Sequence, residues 1–362
     1  MTAQPELIPE DLSCTTLSTD DLRVTELRAE DRGDWDAFVA AHPDGTFCHR
    51  SGWSEAVAEG LRHTPHFLLA RRGGCVEAVL PLAEVKSRLF GHTLVSTPGC
   101  VYGGALATSE EARRAVTARA CELAERLGVD ALELRSEQPT EPDWLTKAEL
   151  YVTFRKAITA DDDANLKAIP RKQRAMVRKG IKAGLVAEQT RDLERFYAIY
   201  AESVRNLGTP VFPQRWLEAL QRVFADHCEL SIVTHAGKDI AGVMSFFHGD
   251  TVLPYYGGSR SAARALYGND FMYWDLMSRA AQRGYRVFDY GRSKRGTGAF
   301  SFKKNWGFEP QPLNYQYHLV KSRAVPDVNP SNPKYRYFIA AWKRLPLPVA
   351  NRIGPVLARN LA

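Results

Sequence analysis

Nowhere does this chain approach the roughly 18 consecutive apolar residues that a membrane-spanning helix needs, so no such helix is expected. The six cysteines (Cys14, Cys48, Cys75, Cys100, Cys121 and Cys228) stand apart, with no CxxC pair and no Cys/His ligand spacing. That excludes zinc-ribbon and thioredoxin-type chemistry, and the pattern reads as free thiols in a reducing compartment. The histidines show no metal-ligand spacing either. No GxSxG elbow and no Walker loop is present, which removes serine-hydrolase and P-loop readings. The opening MTAQPELIPEDLS is acidic and polar rather than basic and apolar, so it is not a signal peptide. A cytoplasmic location is the resulting expectation.

What is present is a chain of 362 residues, long enough for two domains of ordinary size. Its 44% hydrophobic and 25% charged content belongs to soluble globular proteins. The net charge of +6 is mildly basic and suits an anionic substrate or surface.

Residues 1–20 read as a disordered lead. Helices are expected at Asp34–Phe38 and Gly52–Leu61, a hairpin over His66–Val85 turning at Gly73-Gly74, and a strand within Leu94–Gly104. A long helix then runs over Ser109–Leu127, with Ser109 as N-cap and Gly128 closing it, before a strand at Ala131–Ser136. The second half repeats this plan. Helices are expected at Leu193–Val204 and Gln214–Phe224, and a hairpin over Leu230–Phe247. The YGG of Tyr102–Gly104 matches Tyr256–Gly258, RLGVDALELRS matches RGYRVFDYGRS, and Trp53 matches Trp216. One order is kept throughout, which marks an internal duplication. The expected division is 21–160 for a first α/β domain, 161–322 for a second with a basic helix leading into it, and 323–362 for a tail.

Two basic stretches stand out. Lys167 to Lys182 holds seven basic residues and no acidic one. Arg171, Arg174 and Arg178 are spaced to share one helix side and could hold a phosphate or pyrophosphate; the plainer reading is a solvated helix face. From Val328 to the end there is no Asp or Glu. That tail could lie on an anionic membrane face with Phe338 and Trp342 inserted, or pack as a helix on the second domain.

The unit Val252–Phe308 carries the chemistry-bearing pattern: strand, polar loop, helix capped by Asn269, strand, then a lysine-aromatic segment. Pro254 cannot donate to a ladder, so its strand should be an edge or splay from a neighbour, leaving backbone groups for a ligand. Tyr255 and Tyr256 alternate faces, so one should be core and the other line a cleft.

This order, with YYGGS at 255–259, RGYRVFDYGRS, FKKNWGF at 302–308 and IPRKQRAMVRKGIKAGL at 169–185, resembles the FemAB family, tandem relatives of the GNAT acyltransferases. It is similar in particular to the subgroup associated with PEP-CTERM/exosortase and exopolysaccharide gene clusters. The resemblance covers about residues 22–320. It implies an α/β (α+β) chain of two tandem GNAT-like acyl-CoA N-acyltransferase domains, forming an amide bond on an amine of a cell-envelope or exopolysaccharide precursor. The implied donor is an aminoacyl-tRNA or an acyl thioester on coenzyme A or acyl-carrier protein, with no tightly bound cofactor. The implied acceptor is a phosphate-bearing sugar or peptide precursor. Two features depart from the pattern. No long heptad arm is present, and Ser259–Asn269 lacks the Q/RxxGxG/A pyrophosphate loop.

By that resemblance Lys303 stabilises the tetrahedral oxyanion, with Lys304 as the alternative, and Arg205 is a substrate-binding candidate. Asp275 and Asp289 are candidates for taking the proton of the attacking amine, although Asp289 could simply pair with Arg292 or cap a turn. The rival from another class is a non-catalytic module that binds a polyanion or tRNA on the same duplicated fold.

Overall fold

The computed structural model describes residues 21–87, 90–325 and 336–360. The expected lead at 1–20 lies outside the described residues. In the first half, β1 (Arg23–Glu26), β2 (Leu68–Arg72) and β3 (Cys75–Leu80) form one antiparallel set, and β4 (Leu82–Ser87) continues β3 into a second sheet with β5 (Gly91–Ser96) and β6 (Ala131–Ser136). The strand expected to run unbroken through residue 85 is interrupted at Pro81, which cannot donate to a ladder. Helices α1 (Arg32–Ala41) and α2 (Gly52–Ala56) lie before the hairpin, and α3 (Glu110–Leu127) connects β5 to β6. Ser109 caps α3 by accepting from the Ala112 amide at 3.1 Å, and Gly128 closes it at φ 61°.

Next come β7 (Tyr151–Ala157) and the basic helix α4 (Arg171–Lys182), then β8 (Val186–Thr190), α5 (Leu193–Leu207) and α6 (Gln214–Val223). In the second half β8 begins a separate sheet with β9 (Cys228–His235), β10 (Lys238–His248), β11 (Thr251–Ser259) and β12 (Val287–Asp289); α7 (Gly268–Gln282) lies between β11 and β12, and α8 (Gly298–Asn305) and β13 (Asn314–Leu319) follow. Helices α9 (Arg336–Trp342) and α10 (Leu347–Ala358) close the chain. Helix α7 starts at Gly268 rather than after an Asn269 cap. Tyr267 precedes it at φ 56° without a side-chain cap, and Gly268 packs where a Cβ would stand 2.9 Å from that of Ala263.

The strand pairing crosses the expected division at 160/161. β7 pairs antiparallel with β12 in the sheet of the second half (Arg155 opposite Asp289), and β13 pairs antiparallel with β6 in the β4–β5–β6 sheet of the first half (Tyr315 opposite Arg135). Each half therefore completes its sheet with a strand drawn from the other side of that boundary. The repeat accounts for this: in both sheets the added strand flanks the one that follows the long helix.

Between the halves lies a shared aromatic core. Trp53 and Trp216, equivalent positions of the repeat, are both fully buried with ring centroids 5.8 Å apart. Phe47 stacks on Phe246 at 4.4 Å and 17°. Burying each such ring is worth about 2–3 kcal/mol, so the two halves hold each other as one body.

Four cysteines (Cys48, Cys100, Cys121 and Cys228) are free thiols, as expected. Cys75 is disulfide-bonded, which corrects the reading of six free thiols at that position. Among the described residues no helix is long and apolar enough to cross a membrane.

Candidate active site between the two halves

The strand β11 splays as Pro254 requires. It pairs with β10 along its length, with a register shift at Met244/Ser245, where Met244 faces Tyr256 and Ser245 faces Pro254. Its parallel pairing with β12 holds only at Thr251–Val287 and Val252–Phe288 and ends before the proline. In the first half, β5 and β6 pair in parallel only through Val95 and Glu133. The chain then leaves the sheet at Ser96-Thr97-Pro98-Gly99, with Thr97 at φ 45° and Gly99 at φ 80°. This Pro-Gly turn ends the strand earlier than the expected Gly104 and frees Tyr102 from the sheet.

Tyr102 reaches across to the second half. Its hydroxyl donates to Asp289 Oδ2 at 2.9 Å and meets Thr153 Oγ1. Asp289, only 2% exposed, also accepts from Arg155 Nε at 2.8 Å and from the Gly291 amide at 2.6 Å. Arg155 in turn pairs with Glu137 at 2.6 Å. Burial, reinforced by the Asp289 charge, pushes the Tyr102 hydroxyl well above its ordinary pKa, so it stays a donor.

This cluster floors a cleft of about 600 Å³ between the halves. Its charged lining comprises Asp44, Glu137, Asp250 and Asp289 against Arg135 and Arg155. Both arginines are already committed, Arg135 to Glu133 at 2.7 Å and Arg155 to Asp289 and Glu137. Asp44 and Asp250 form no ion pair among the described residues, so the open wall is negative. Three histidines line the same space. His49 is held near a pKa of 3 by burial; its Nδ1 accepts from the Thr46 amide at 3.2 Å, which leaves Nε2 to donate to the Gly104 carbonyl at 3.1 Å. His42 is fixed likewise, with the Asp44 amide on Nδ1 and the Ala107 carbonyl on Nε2. His248 is held near 4 by burial and then by the Arg50 charge, and its buried Nδ1 has no hydrogen-bond partner among the described residues.

Of the residues singled out in the sequence, Asp289 lines this cleft. Lys303 lies behind it on α8, where its ammonium donates to the carbonyls of Tyr290 (2.7 Å), Gly291 (3.0 Å) and Arg292 (3.0 Å). All three protons are thus engaged by the segment that follows Asp289. Burial lowers its pKa to about 7, with the Asp289 charge opposing the shift and the Arg292 charge adding to it. Lys304 is exposed. Asp289 does not pair with Arg292; of the simpler roles open to it, it caps the turn at Gly291. Arg292 instead donates to the Tyr315 hydroxyl at 3.1 Å and stacks over Tyr151 at 4.8 Å.

Tyr255 and Tyr256 belong to the aromatic core. Tyr255 donates to the Gly99 carbonyl at 2.9 Å, and the Tyr256 hydroxyl accepts from Trp216 Nε1 at 3.0 Å. Neither lines the cleft: beside the bulge at Pro254, Tyr255 turns toward the first half, and Tyr256 packs on Tyr200 and Phe212 of the second. Asp275 is bound to Arg279 at 2.8 Å, one helical turn away on α7. Arg205 Nη1 holds α9 through the Lys343 carbonyl at 3.3 Å. Arg171, Arg174 and Arg178 line one hollow on α4 with Lys179 and Lys182, and none of the five forms an ion pair among the described residues. On the same helix Val177 and Gly180 are buried, whereas Ile181 is 44% exposed.

Sequence reasoning missed Tyr102, Arg155, Glu137 and Asp270. The buried Asp270 carboxylate ties α4 to α7, accepting from Gln173 and, at 3.1 Å, from Trp306 Nε1. A signal existed for Tyr102 alone, in the TPG turn before it.

Residues 165–304 match the family model described as an acetyltransferase (GNAT) domain. Among solved structures, FemX superimposes with a TM-score of 0.63 at 16% identity, covering 83% of this chain and 98% of its own. A tandem GNAT protein from the clavulanic acid biosynthesis pathway matches at 0.53 and 13%, covering 83% and 99%. The fold is a tandem GNAT fold. The C-terminal domain of an Agrobacterium fabrum protein assigned as a lysylphosphatidylglycerol synthetase shares it too, at 0.54 and 12%, covering 80% of this chain and 91% of that one. No curated protein matches the sequence. Two splayed parallel strand pairs, one per half, follow from this tandem arrangement.

Proposed function

We propose that this chain is an N-acyltransferase or aminoacyltransferase that forms an amide bond on an amine-bearing acceptor held between its two halves. The observation that carries the reading is the interdomain cleft on a tandem GNAT fold, whose unpaired carboxylates, Asp44 and Asp250, favour an ammonium group. The amine attacks the carbonyl of an activated ester or thioester, the tetrahedral oxyanion collapses, and the alcohol or thiol leaves. Lys303 is the cation this reading assigns to the oxyanion; it stands behind the cleft floor, so reaching the oxyanion requires it to give up at least one of its three carbonyl contacts. Asp289 and Tyr102 hold the floor on which the acceptor rests, and Asp289, which lines that cleft, is the carboxylate this reading assigns to relay the amine proton.

The donor is an aminoacyl-tRNA or an acyl thioester. The acceptor is a precursor of cell envelope or exopolysaccharide, in keeping with the resemblance to the PEP-CTERM/exosortase-associated subgroup. The phosphate of such a precursor finds its counter-charges on Arg171, Arg174 and Arg178 rather than in the cleft. That same unpaired basic face is what favours the second reading, a polyanion- or tRNA-binding module without catalysis.

The test compares transfer by wild-type protein and by Asp44→Asn/Asp250→Asn with an amine-bearing acceptor fraction. Both side chains lie outside the buried network, so the fold should persist. A several-fold rise in KM for the acceptor, with kcat little changed, is expected. Unchanged kinetics would remove the cleft as the amine site.

A further inference from the structure

The two C-terminal helices leave an aliphatic row uncovered. Helix α10 buries Ala350, Gly354 and Ala358 against the body, and a Cβ on Gly354 would stand 3.0 Å from the Val211 amide nitrogen. His63 Nε2 secures its end through the Arg359 carbonyl at 2.7 Å. On the other side of α10, Val349, Ile353 and Val356 are 42%, 43% and 58% exposed. Their spacing of four and three residues sets them in one row along the helix. Phe338 on α9 is also 42% exposed. Beside α9, Gly208 packs against Ile339, and the neighbouring Leu207 is 69% exposed. A helix that packs through alanine and glycine while turning branched aliphatics outward is not explained by its contacts with the body. Trp342, which the membrane reading of the tail inserts, is only 3% exposed and packs inward, as in the alternative of a packed helix.

The charge around this row is of one sign. Residues 336–360 contain no Asp or Glu and carry Lys343, Arg344, Arg352 and Arg359 beside Arg336. Arg352 immediately precedes Ile353 at the edge of the row. From the body, Arg215 lies close enough to both Arg62 and Arg359 for their charges to act on it. A second copy docked here would bring like charges together. An anionic bilayer supplies both an acyl boundary and opposite charge.

We propose that this face of α9 and α10 rests on an anionic lipid surface. Val349, Ile353, Val356 and Phe338 enter the acyl boundary, and Lys343, Arg344 and Arg352 meet the headgroup phosphates. The contact is peripheral and independent of the acyl-transfer reading.

Sedimentation of the full chain with sucrose-loaded vesicles tests it. Most of the protein should pellet with phosphatidylcholine/phosphatidylglycerol vesicles, little with phosphatidylcholine alone, and the bound share should fall as salt rises. Ile353→Glu/Val356→Glu should lower the partition coefficient by roughly tenfold or more at an unchanged melting temperature, since both side chains are exposed. The proposal is overturned if wild-type protein stays equally soluble with and without vesicles, or if the double variant pellets like wild type. It is also overturned if binding disappears in Arg174→Glu/Arg178→Glu instead, which would place the contact on α4. A dimer by light scattering that the Ile353/Val356 variant abolishes, without vesicle capture, would assign the face to a second copy.

Discussion

Replacing Lys303 by Met keeps the length of the stem over Phe154 and Tyr290 but removes the ammonium from the three carbonyls of 290–292. Two effects oppose each other. Each hydrogen bond to the charged group contributes about 1.5–3 kcal/mol, whereas burying the charge disfavours it. Burial prevails, taking the pKa from 10.5 to about 7. The sign of the pH dependence follows. Below pH 7 both folded and unfolded lysine are protonated and the full burial penalty stands. As pH rises from 7 toward 10.5 the folded lysine releases its proton while the unfolded one keeps it, so stability increases. Two pH units in that window correspond to roughly 2.7 kcal/mol. Urea unfolding of both proteins at pH 7 and pH 9 should show the wild type gaining about that much relative to Lys303→Met. At pH 9 the variant should also be weaker outright, by about 2–3 kcal/mol, because carbonyls lose their donors. Parallel stability curves for the two proteins would refute the reasoning. They would mean that the three carbonyls offset burial in full and that Lys303 stays an ordinary ammonium.

Asp289→Asn should destabilise the fold by about 2–4 kcal/mol in urea, at the low end of buried-pair values because Glu137 still partners Arg155. Gly258→Ala places a Cβ 3.0 Å from the Tyr200 α-carbon and should cost about 1–3 kcal/mol by thermal melting, whereas no loss would show that α5 can shift away from β11. His49, with a folded pKa of about 3 against 6.5 unfolded, contributes stability that is present above pH 6.5 and lost as pH falls through that window. Its slope of roughly 1.4 kcal/mol per pH unit should be missing from the acid limb of His49→Gln, and an identical limb in both proteins would count against a buried neutral imidazole.

The duplication was legible because it rests on local patterns: capped helices, glycine stops and the order of hairpin, helix and strand. The Trp53/Trp216 match even anticipated the residues that meet in the shared core. The exchange of β7 and β13 between sheets was not legible, since neither strand announces its partner and pairing is a long-range choice. The proline at 254 foretold the splay, but alternation alone placed one of Tyr255 and Tyr256 in a cleft, and the bulge sends both to the core. The Asp289 cluster draws Tyr102, Thr153, Arg155 and Glu137 from three stretches of chain, and no spacing rule joins them. Lys303 was picked out by resemblance. Its engagement by three carbonyls, which ties any catalytic role to the stability of 290–292, is visible only in three dimensions.

The account stands or falls on amide-bond formation. The direct measurement is mass spectrometry of acceptor fractions from lysate-fed reactions of purified protein, with ribonuclease added to one arm. An acylated amine product that requires the protein and is greatly reduced in Lys303→Met, compared at a temperature where the variant remains folded, is the predicted result. Loss of product on ribonuclease treatment assigns an aminoacyl-tRNA donor, and persistence assigns a thioester. No product with either donor class, alongside salt-sensitive polyanion binding, would contradict the account and leave the binding-module reading in its place.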